Sequence, residues 1–528
     1  VNPRVVTQTV GGNQLAAAVV SGTAPAGWYE PTPASPAAWR DRVEAVRSSA
    51  RNDWLTALFP AFEATGKAKE RLEKSAGGRG VVVTTGQQPG LFGGPVYTLS
   101  KALSALAFAD ALQRTTGVPV APVFWAATDD TDFKEASSTV VAVTGGAQLL
   151  RIDHAETLGR TMAAMPLGDV STQLQALMHG AGSTIDPTPI ELLRKFYTSK
   201  ETVGSAYVSF LRALFEPLGI AVIDASHPAT RAAASPVLGE ALRRAADIAT
   251  AISERNREIE QGGFSMQVQD VPGLSLVFSS VSGGRKRVPI KAAVKKSVSD
   301  DMGPNVLLRP IVERAILPTA TYIGGPAEIA YFAQILPIAD VIGAARPAIV
   351  PRWSATILEP HVERILEKLY LLPEDLRDPH EVEARVARSL LSKNVLDEIE
   401  KTRALLDERL DALTRAVDES RTPVAPAVTG GLHANLSRRL DRFERRLVAA
   451  AKRQHVETMT EIATARGSLY PFGKPQERSL NFVPLLARYG PALRDEMLQE
   501  AERHATHLIG TGSLTDTPVA AVSARDQS

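Results

Sequence analysis

The sequence predicts an α/β protein: a Rossmann-like parallel-sheet core with connecting insertions and a C-terminal antiparallel α-helical coiled-coil arm. Three observations carry this. Residues 81–85 (Val-Val-Val-Thr-Thr) and 118–125 are continuous apolar runs of strand length, as expected for strands covered on both faces. A glycine-rich loop and a helix lie between them, so the order is strand–loop–helix–strand, a βαβ unit with its right-handed crossover. From about Asp378 the texture changes to dense charge with apolar residues at helical spacing.

Length and composition set the frame. A chain of 528 residues exceeds one ordinary core, which predicts a main domain with an appended unit. It is 44% hydrophobic and 22% charged with a formal net charge of +1, so neither nucleic acid nor an anionic membrane is an expected partner. The absence of cysteine excludes disulfides, thiolate metal sites and a cysteine nucleophile. The apolar patch at 15–20 is too short, and lacks the basic flank, for a secretory signal; no run approaches the roughly twenty apolar residues of a membrane helix. A cytoplasmic protein acting on small molecules is expected.

The elements follow in order. The first forty residues read as an extended lead-in and 36–74 as helical, with Gly77-Gly78-Arg79-Gly80 as the break before the first strand. In the loop after that strand, Pro95 suits the first helical position, and Leu99, Leu103 and Leu106 then share a face. A strand is expected at 218–224 with a helix over 229–261, another strand at 319–323, and a helix opening at Gly324-Gly325-Pro326 and running to about 335. Residues 341–342 and 348–350 are the expected last strands. An insertion near 150–215 reads as helical, and one at 262–295 as β-rich, with strands at 264–269, 274–278 and 287–290 and a turn at Ser282-Gly283-Gly284. The expected domains are a core over 1–375, an arm over 376–466, a return segment over 467–510 packing on the core, and a disordered tail over 511–528. In the arm, Val395, Ile399, Leu406, Leu410, Leu413 and Val417 form one stripe. A turn over 423–431 leads to a second stripe of Leu432, Leu436, Leu440, Phe443 and Leu447. A single hairpin has little core of its own, so its free face should meet the main domain or a second copy.

Several clusters point to chemistry. Gly90, Gly93 and Gly94 let backbone approach a ligand closely, and the helix behind them offers N–H groups and a positive dipole end to a phosphate or carboxylate. A plain tight turn would use the same residues, and the loop matches neither the dinucleotide nor the P-loop pattern. Gly324-Gly325-Pro326 repeats the arrangement; Tyr97 beside the first loop and Glu328 and Tyr331 behind the second could face one cleft where the strand order reverses, or the tripeptide recurs by chance. Asp129, Asp130 and Asp132 crowd the end of a strand and need a cation: a metal, a substrate ammonium or an arginine from elsewhere, unless the loop is simply solvated. Arg352 follows a further strand, and Lys474 and Arg478 lie in the turn after the arm, placed to reach an anionic ligand or to fix the chain's return.

Taken together, Thr85-Gly86-Gln87-Gln88-Pro89-Gly90-Leu91-Phe92, Asp130 with Asp132-Phe133, Leu308-Arg309-Pro310, Tyr322-Ile323-Gly324-Gly325-Pro326-Ala327-Glu328, Pro351-Arg352 and Gly473-Lys474-Pro475-Gln476-Glu477-Arg478 occur in this order. The series closely resembles the BshC family, named as the cysteine ligase of bacillithiol biosynthesis, over about 40–505. The resemblance implies a Rossmann-type core with connecting-peptide insertions and a coiled coil used in dimerisation. It also implies a last biosynthetic step that joins the cysteine carboxyl to the amine of glucosaminyl malate. One departure stands out: the family pattern Glu-Asp-His-Asp-Phe reads Asp129-Asp130-Thr131-Asp132-Phe133 here. Threonine cannot do the acid–base work of imidazole near neutral pH, so either that histidine is dispensable or this member differs in activity or substrate.

Amide formation from a free carboxylate needs activation, so ATP or another nucleotide is expected, through an adenylate or an acyl phosphate; no metal is assigned. The expected binding residues are Thr85, Gly86, Gln87, Gln88, Gly90, Gly93, Gly94, Tyr97, Gly324, Gly325, Glu328, Tyr331, Arg352, Lys474 and Arg478. Asp130 and Asp132 are the expected catalytic pair, holding a substrate ammonium or accepting the proton of the attacking amine. A homodimer is expected. The rival readings are a non-catalytic, nucleotide-sensing dimer and a related ligase acting on another amine.

Overall fold

A computed structural model describes residues 2–9, 11–152, 159–281, 284–420 and 425–514. The apolar runs form the parallel strands β1 (Val81–Gln87), β2 (Val120–Ala126), β3 (Ala221–Asp224), β4 (Thr319–Gly324) and β5 (Ile349–Pro351), with β2, β4 and β5 buried throughout. Their order across the sheet is β5-β4-β1-β2-β3, with Gln87 opposite Ala126, Tyr322 opposite Thr84 and Ile323 opposite Val350. The chain builds outward from β1 to β3, then returns to the other side of β1. The order therefore reverses between β1 and β4, where the carboxyl ends of an open sheet leave a crevice.

Helix α1 (Val96–Thr116) follows β1 and is buried nearly all round, which explains why Leu99, Leu103 and Leu106 share the helix with buried Ala102, Ala105 and Phe108. Trp39 meets Phe108 edge-on at 5.2 Å. Gly117, at φ 72°, ends the helix in the left-handed conformation. Two shorter helices frame the reversal: α2 (Arg309–Ile316) precedes β4 and α3 (Pro326–Phe332) follows it.

Several expectations give way. The lead-in is more than extended chain: Arg4–Thr7 pairs antiparallel with Ala355–Leu358, and Asn13 caps a helix over Gln14–Val20 by accepting from the Ala16 N–H at 3.0 Å. The helix expected over 229–261 is two, Pro228–Arg243 and Ala245–Gln261, interrupted at Arg244, whose backbone leaves the helical range. Residues 341–342 end a helix, Leu336–Val341, because Ile338 and Ala339 are buried at helical spacing and Ile342 N–H donates to Ile338. Residues 264–269 form no strand; Phe264 packs edge-on to Trp28 at 5.8 Å instead. The rest of that insertion is a three-stranded antiparallel sheet of Leu274–Val281, Gly284–Pro289 and Gly303–Pro304, and the turn residues Ser282 and Gly283 lie outside the described residues.

The chain divides into two units, one of residues up to Val141, Gln148–Glu359 and Gln476 onward, the other of Ala142–Ala147 and Pro360–Pro475. The second unit thus starts before 376, and the return begins at Gln476 rather than 467, because the helix Val456–Leu469 groups with the arm. The arm's long helices are α4 (Lys393–Glu419) and α5 (Pro426–Gln454). The turn is shorter than 423–431, since Gly430 and Gly431 are already helical, and 421–424 lie outside the described residues. Arg403 bridges the pair to Asp441 at 2.8 Å and Glu444 at 3.1 Å. Ile399 and Leu410 are buried, whereas Val395, Leu413, Leu432 and Phe443 of the expected stripes stay exposed. In the first unit, helix α6 (Val483–Thr511) runs to the edge of the expected tail, of which 515–528 lie outside the described residues.

Candidate functional site

The crevice between β1 and β4 is built around a buried ion pair. Lys101, one turn into α1 beyond Tyr97, places Nζ 2.6 Å from Glu328, 2.7 Å from the Gly86 carbonyl and 3.0 Å from Gln87 Oε1. Glu328, in the first turn of α3, also accepts from the Tyr322 hydroxyl at 2.6 Å and the Gly325 N–H at 2.7 Å. Burial alone would raise its pKa; Lys101, Tyr322 and the Gly325 amide overcome that and hold the carboxyl below its usual range. The cleft residues expected from the two loops therefore do converge, but through a lysine between them.

Three further groups surround the pair. Arg309, at the head of α2, donates to the Tyr331 hydroxyl at 3.2 Å, and it forms no ion pair with any described carboxylate. Burial works against its charge, but Tyr331, Tyr322, Glu328 and Asp129 outweigh burial and keep it cationic. Glu313, one turn further along α2, is buried, and burial pushes its carboxyl up to about 7 against the pull of Thr84 and Arg309. Tyr97 donates to Glu135 at 3.2 Å and accepts from Gln87 at 3.1 Å, while Gln88 also bonds Glu135.

The acidic loop after β2 resolves into three different carboxylates. Asp129 finds its cation in an arginine from the connecting hairpin: Arg285 bonds its carboxylate at 3.0 Å and also its carbonyl. Asp130 is half-buried, accepts from the Asp132 N–H at 2.8 Å, and is pushed above its usual range chiefly by burial. Asp132 is exposed and caps the short helix Phe133–Ala136 by accepting from the Glu135 N–H at 3.1 Å. The expected catalytic pair thus sits in two different surroundings, Asp130 half-buried and Asp132 exposed as a cap. Beside Asp129, at the carboxyl ends of β2 and β3, lies a cavity of about 210 Å³.

The glycine loop after β1 departs from its expected part. Gly93 N–H bonds the Tyr197 hydroxyl at 3.0 Å and Val96 N–H bonds the Leu480 carbonyl at 2.8 Å. Gly94 N–H bonds Leu91 and Thr98 N–H bonds Pro95. Asn481 seals the far side, donating to the carbonyls of Leu91 at 3.2 Å and Phe92 at 3.1 Å. These four N–H groups, among those expected to cradle a phosphate, are thus already partnered. Gly93, at φ 88°, is glycine because a Cβ would come within 2.7 Å of Phe210 and 2.8 Å of Phe482. Gly90 lies equally close to its own loop, where a Cβ would meet Gly94 Cα at 2.8 Å.

Thr85, Gly324 and Arg352 are also committed. Thr85 donates to Ile323 at 2.9 Å, tying β1 to β4, and the Gly324 carbonyl accepts from Arg352 N–H at 2.9 Å. Arg352 is not free for an anionic ligand: it grips Glu477 in bidentate fashion at 2.7 and 2.9 Å, and Ser354 adds a bond at 2.7 Å. Arg478 is exposed, and Lys474 is exposed in the second unit.

Lys101, Arg285, Arg309 and Glu313 were missed as site residues. Lys101 left a readable trace, a lone charge inside the otherwise uncharged stretch from Val96 to Ala109. Arg309 stands in a quoted motif without a role. Nothing local marks Arg285, whose partner is 156 residues away.

Fold and site together define a Rossmann-like α/β protein with a charged crevice at the reversal of its strand order, joined to a helical hairpin unit. Residues 13–353 match the description Bacillithiol biosynthesis BshC, N-terminal Rossmann-like domain, and residues 355–509 match its C-terminal coiled-coil domain. The chain belongs to the BshC family. Its relatives include three proteins named "Putative cysteine ligase BshC". The one from Solibacter usitatus is 28% identical over 473 residues, covering 85% of this chain and 88% of that protein. The one from Koribacter versatilis is 31% identical over 461 residues, covering 83% and 85%. The one from Chlorobaculum tepidum is 27% identical over 507 residues, covering 88% of each.

Proposed function

We propose that this chain is a cysteine ligase of bacillithiol biosynthesis, joining the carboxyl of cysteine to the amine of glucosaminyl malate in the cytoplasm. The observation that carries the reading is Arg309, a cation in the crevice with no ion-paired carboxylate among the described residues, whose charge acts on Asp130, a carboxyl whose ionisation burial resists. An anionic substrate group answers the first; the proton lost by an attacking amine suits the second. In the net reaction a carboxylate oxygen of cysteine attacks a phosphorus of ATP and a phosphoanhydride bond breaks, releasing pyrophosphate or ADP. The amine nitrogen then attacks the acyl carbon, AMP or phosphate leaves with that oxygen, and Asp130 accepts the amine proton. Nucleotide would enter at the crevice beside Arg309 rather than at the Gly93 and Gly94 amides, which are already bonded.

Purified protein with cysteine, glucosaminyl malate and ATP should yield the cysteinyl adduct by mass spectrometry, and omitting any one should abolish it. Nucleotide binding with no adduct would overturn the ligase reading in favour of a sensing role. The arm belongs to the same proposal as the contact of a homodimer, supported by exposed Leu413, Leu432 and Phe443. Sedimentation should give a dimer that Leu413→Asp weakens; a monomer at micromolar concentration would refute it.

A further inference from the structure

The cavity at the carboxyl ends of β2 and β3 lies to one side of the β1–β4 crevice and has chemistry of its own. Its volume, about 210 Å³, is below the roughly 300–1,000 Å³ usual for drug-sized ligands, so it suits one small metabolite rather than a nucleotide or a sugar conjugate. Ala225, Ala234, Leu238, Met302 and Val312 give it an apolar lining. Trp125 also lines it, is 3% exposed, and its indole Nε1 has no hydrogen-bond partner among the described residues. A buried N–H left unsatisfied costs about 1–3 kcal/mol, which a bound acceptor atom would relieve.

The charged rim holds Asp129, Asp301, Arg231 and Arg285, and Arg231 is turned outward to the Asp300 carbonyl at 3.0 Å. Asp301 is committed, since its oxygens accept from Ser280 N–H at 2.7 Å and from the Ser299 hydroxyl. Asp129 is held through Oδ2 alone by Arg285, whose guanidinium also bonds the Pro304 carbonyl at 3.0 Å and lies 4.5 Å from the Phe278 ring. A fixed, half-satisfied carboxylate above an apolar cavity matches an ammonium group carried on a small side chain. The charge of Asp129 is felt by Arg309, which joins this rim to the crevice.

We propose that this cavity is the amino-acid pocket: Asp129 holds the substrate ammonium, and Trp125 and Met302 select a small, soft side chain. The proposal rests on the cysteine ligase reading and names where cysteine sits. The thiol, which packs as a small hydrophobe with weak hydrogen bonding, enters the apolar end, while the carboxyl is left facing Arg309. Serine would offer the Trp125 N–H a better acceptor, so discrimination against it rests on desolvating its hydroxyl donor against Ala225, Leu238 and Val312.

Calorimetry on the full chain with L-cysteine, L-serine and L-alanine, with and without ATP, tests this directly. L-cysteine should bind at least tenfold more tightly than L-serine and quench the fluorescence of the parent protein. Ala234→Leu fills the cavity and should raise the Kd and KM for cysteine at least tenfold, leaving the KM for ATP and the acceptor within twofold. Trp125→Phe keeps the aromatic body and should remove most of the quench while weakening cysteine binding several-fold. If Ala234→Leu does not fold by circular dichroism, Ala234→Val carries the same test. Folded variants that bind and use cysteine as the parent does would overturn the pocket while leaving the ligase reading intact. Cysteine binding that Ala234→Leu abolishes, with no adduct from any acceptor, would support the pocket and sink the ligase reading. No cysteine binding to the parent, even with ATP, would refute the pocket.

Discussion

Gly93-Gly94-Pro95 and Gly324-Gly325-Pro326 are the same tripeptide in the same structural place, between a strand of the parallel sheet and a helix. Around Gly324 and Gly325 the amide is answered locally, by Glu328 three residues on, and that carboxylate brings Lys101 into the crevice. Around Gly93 and Gly94, Gly90 and Leu91 answer the amides locally, but Tyr197, Leu480 and Asn481 also reach the loop from far along the chain, and it becomes a packed wall. A glycine-rich loop after a strand is therefore a ligand surface only when nothing else in the fold has claimed its donors. Local sequence cannot show whether that claim has been made.

The largest expected effect tests the local half of this contrast. Lys101→Met leaves Glu328 buried without its cation and should cost about 3–5 kcal/mol in denaturant unfolding, with turnover lost. Adding Glu328→Gln should recover a large part of that stability but not the activity. A single mutant as stable as the parent would mean that the pair does not organise the crevice.

Next in size is a pH effect on the same side. Glu313 titrates at about 7 when folded, above its unfolded value of roughly 4.3, so the folded state keeps a proton that the unfolded chain releases. Its contribution is therefore a penalty that grows as pH rises from about 4.3 to about 7 and stays constant beyond. Glu313→Gln should stabilise the protein by up to about 3 kcal/mol at pH 8 and hardly at pH 4. Equal shifts in melting temperature at both pH values would contradict this.

The packed wall should respond through stability alone. Gly93→Ala sets a Cβ against Phe210 and Phe482 at a left-handed φ, so about 1–3 kcal/mol should be lost while the KM for each substrate stays put. A selective rise in the KM for ATP would restore the loop as a phosphate cradle. The smallest effect belongs to Asp132→Asn, which keeps a good capping residue at an exposed position. It should move stability by no more than about 0.5 kcal/mol and leave turnover near the parent value; a large loss of rate would make Asp132 a substrate ligand after all.

The strands of the sheet were legible because a strand covered on both faces must be apolar along its length, as Val81–Val83 and Val120–Trp125 are. The crevice was legible in outline, since Gly325, Glu328, Tyr97 and Gln87 lie where the strand order reverses. Its cations were not. Arg352 looks free in sequence, but its partner Glu477 is 125 residues away, and Arg285 reaches Asp129 from an insertion whose strands were only partly placed. The strand expected at 264–269 failed for a related reason: Phe264 has the pattern of a strand residue but is claimed by Trp28. Periodicity reports how much a segment will bury, not which partner buries it.

The short stretch from Gln476 to Phe482 has a consequence for how the protein is made. Gln476 bonds both Ile357 N–H and carbonyl, Glu477 grips Arg352, and Asn481 reaches back 390 residues to Leu91. A ribosome adding about 5–20 residues per second needs roughly 20–80 seconds to deliver that asparagine after the glycine loop has emerged. During that interval the carbonyls of Leu91 and Phe92 lack Asn481, the Arg352 guanidinium waits 125 residues for Glu477, and any chain released before them never acquires either. Residues 476–482 thus decide when the loop after β1 takes its final form, so translation products that stop short of them would lack the packed wall rather than carry a weakened one.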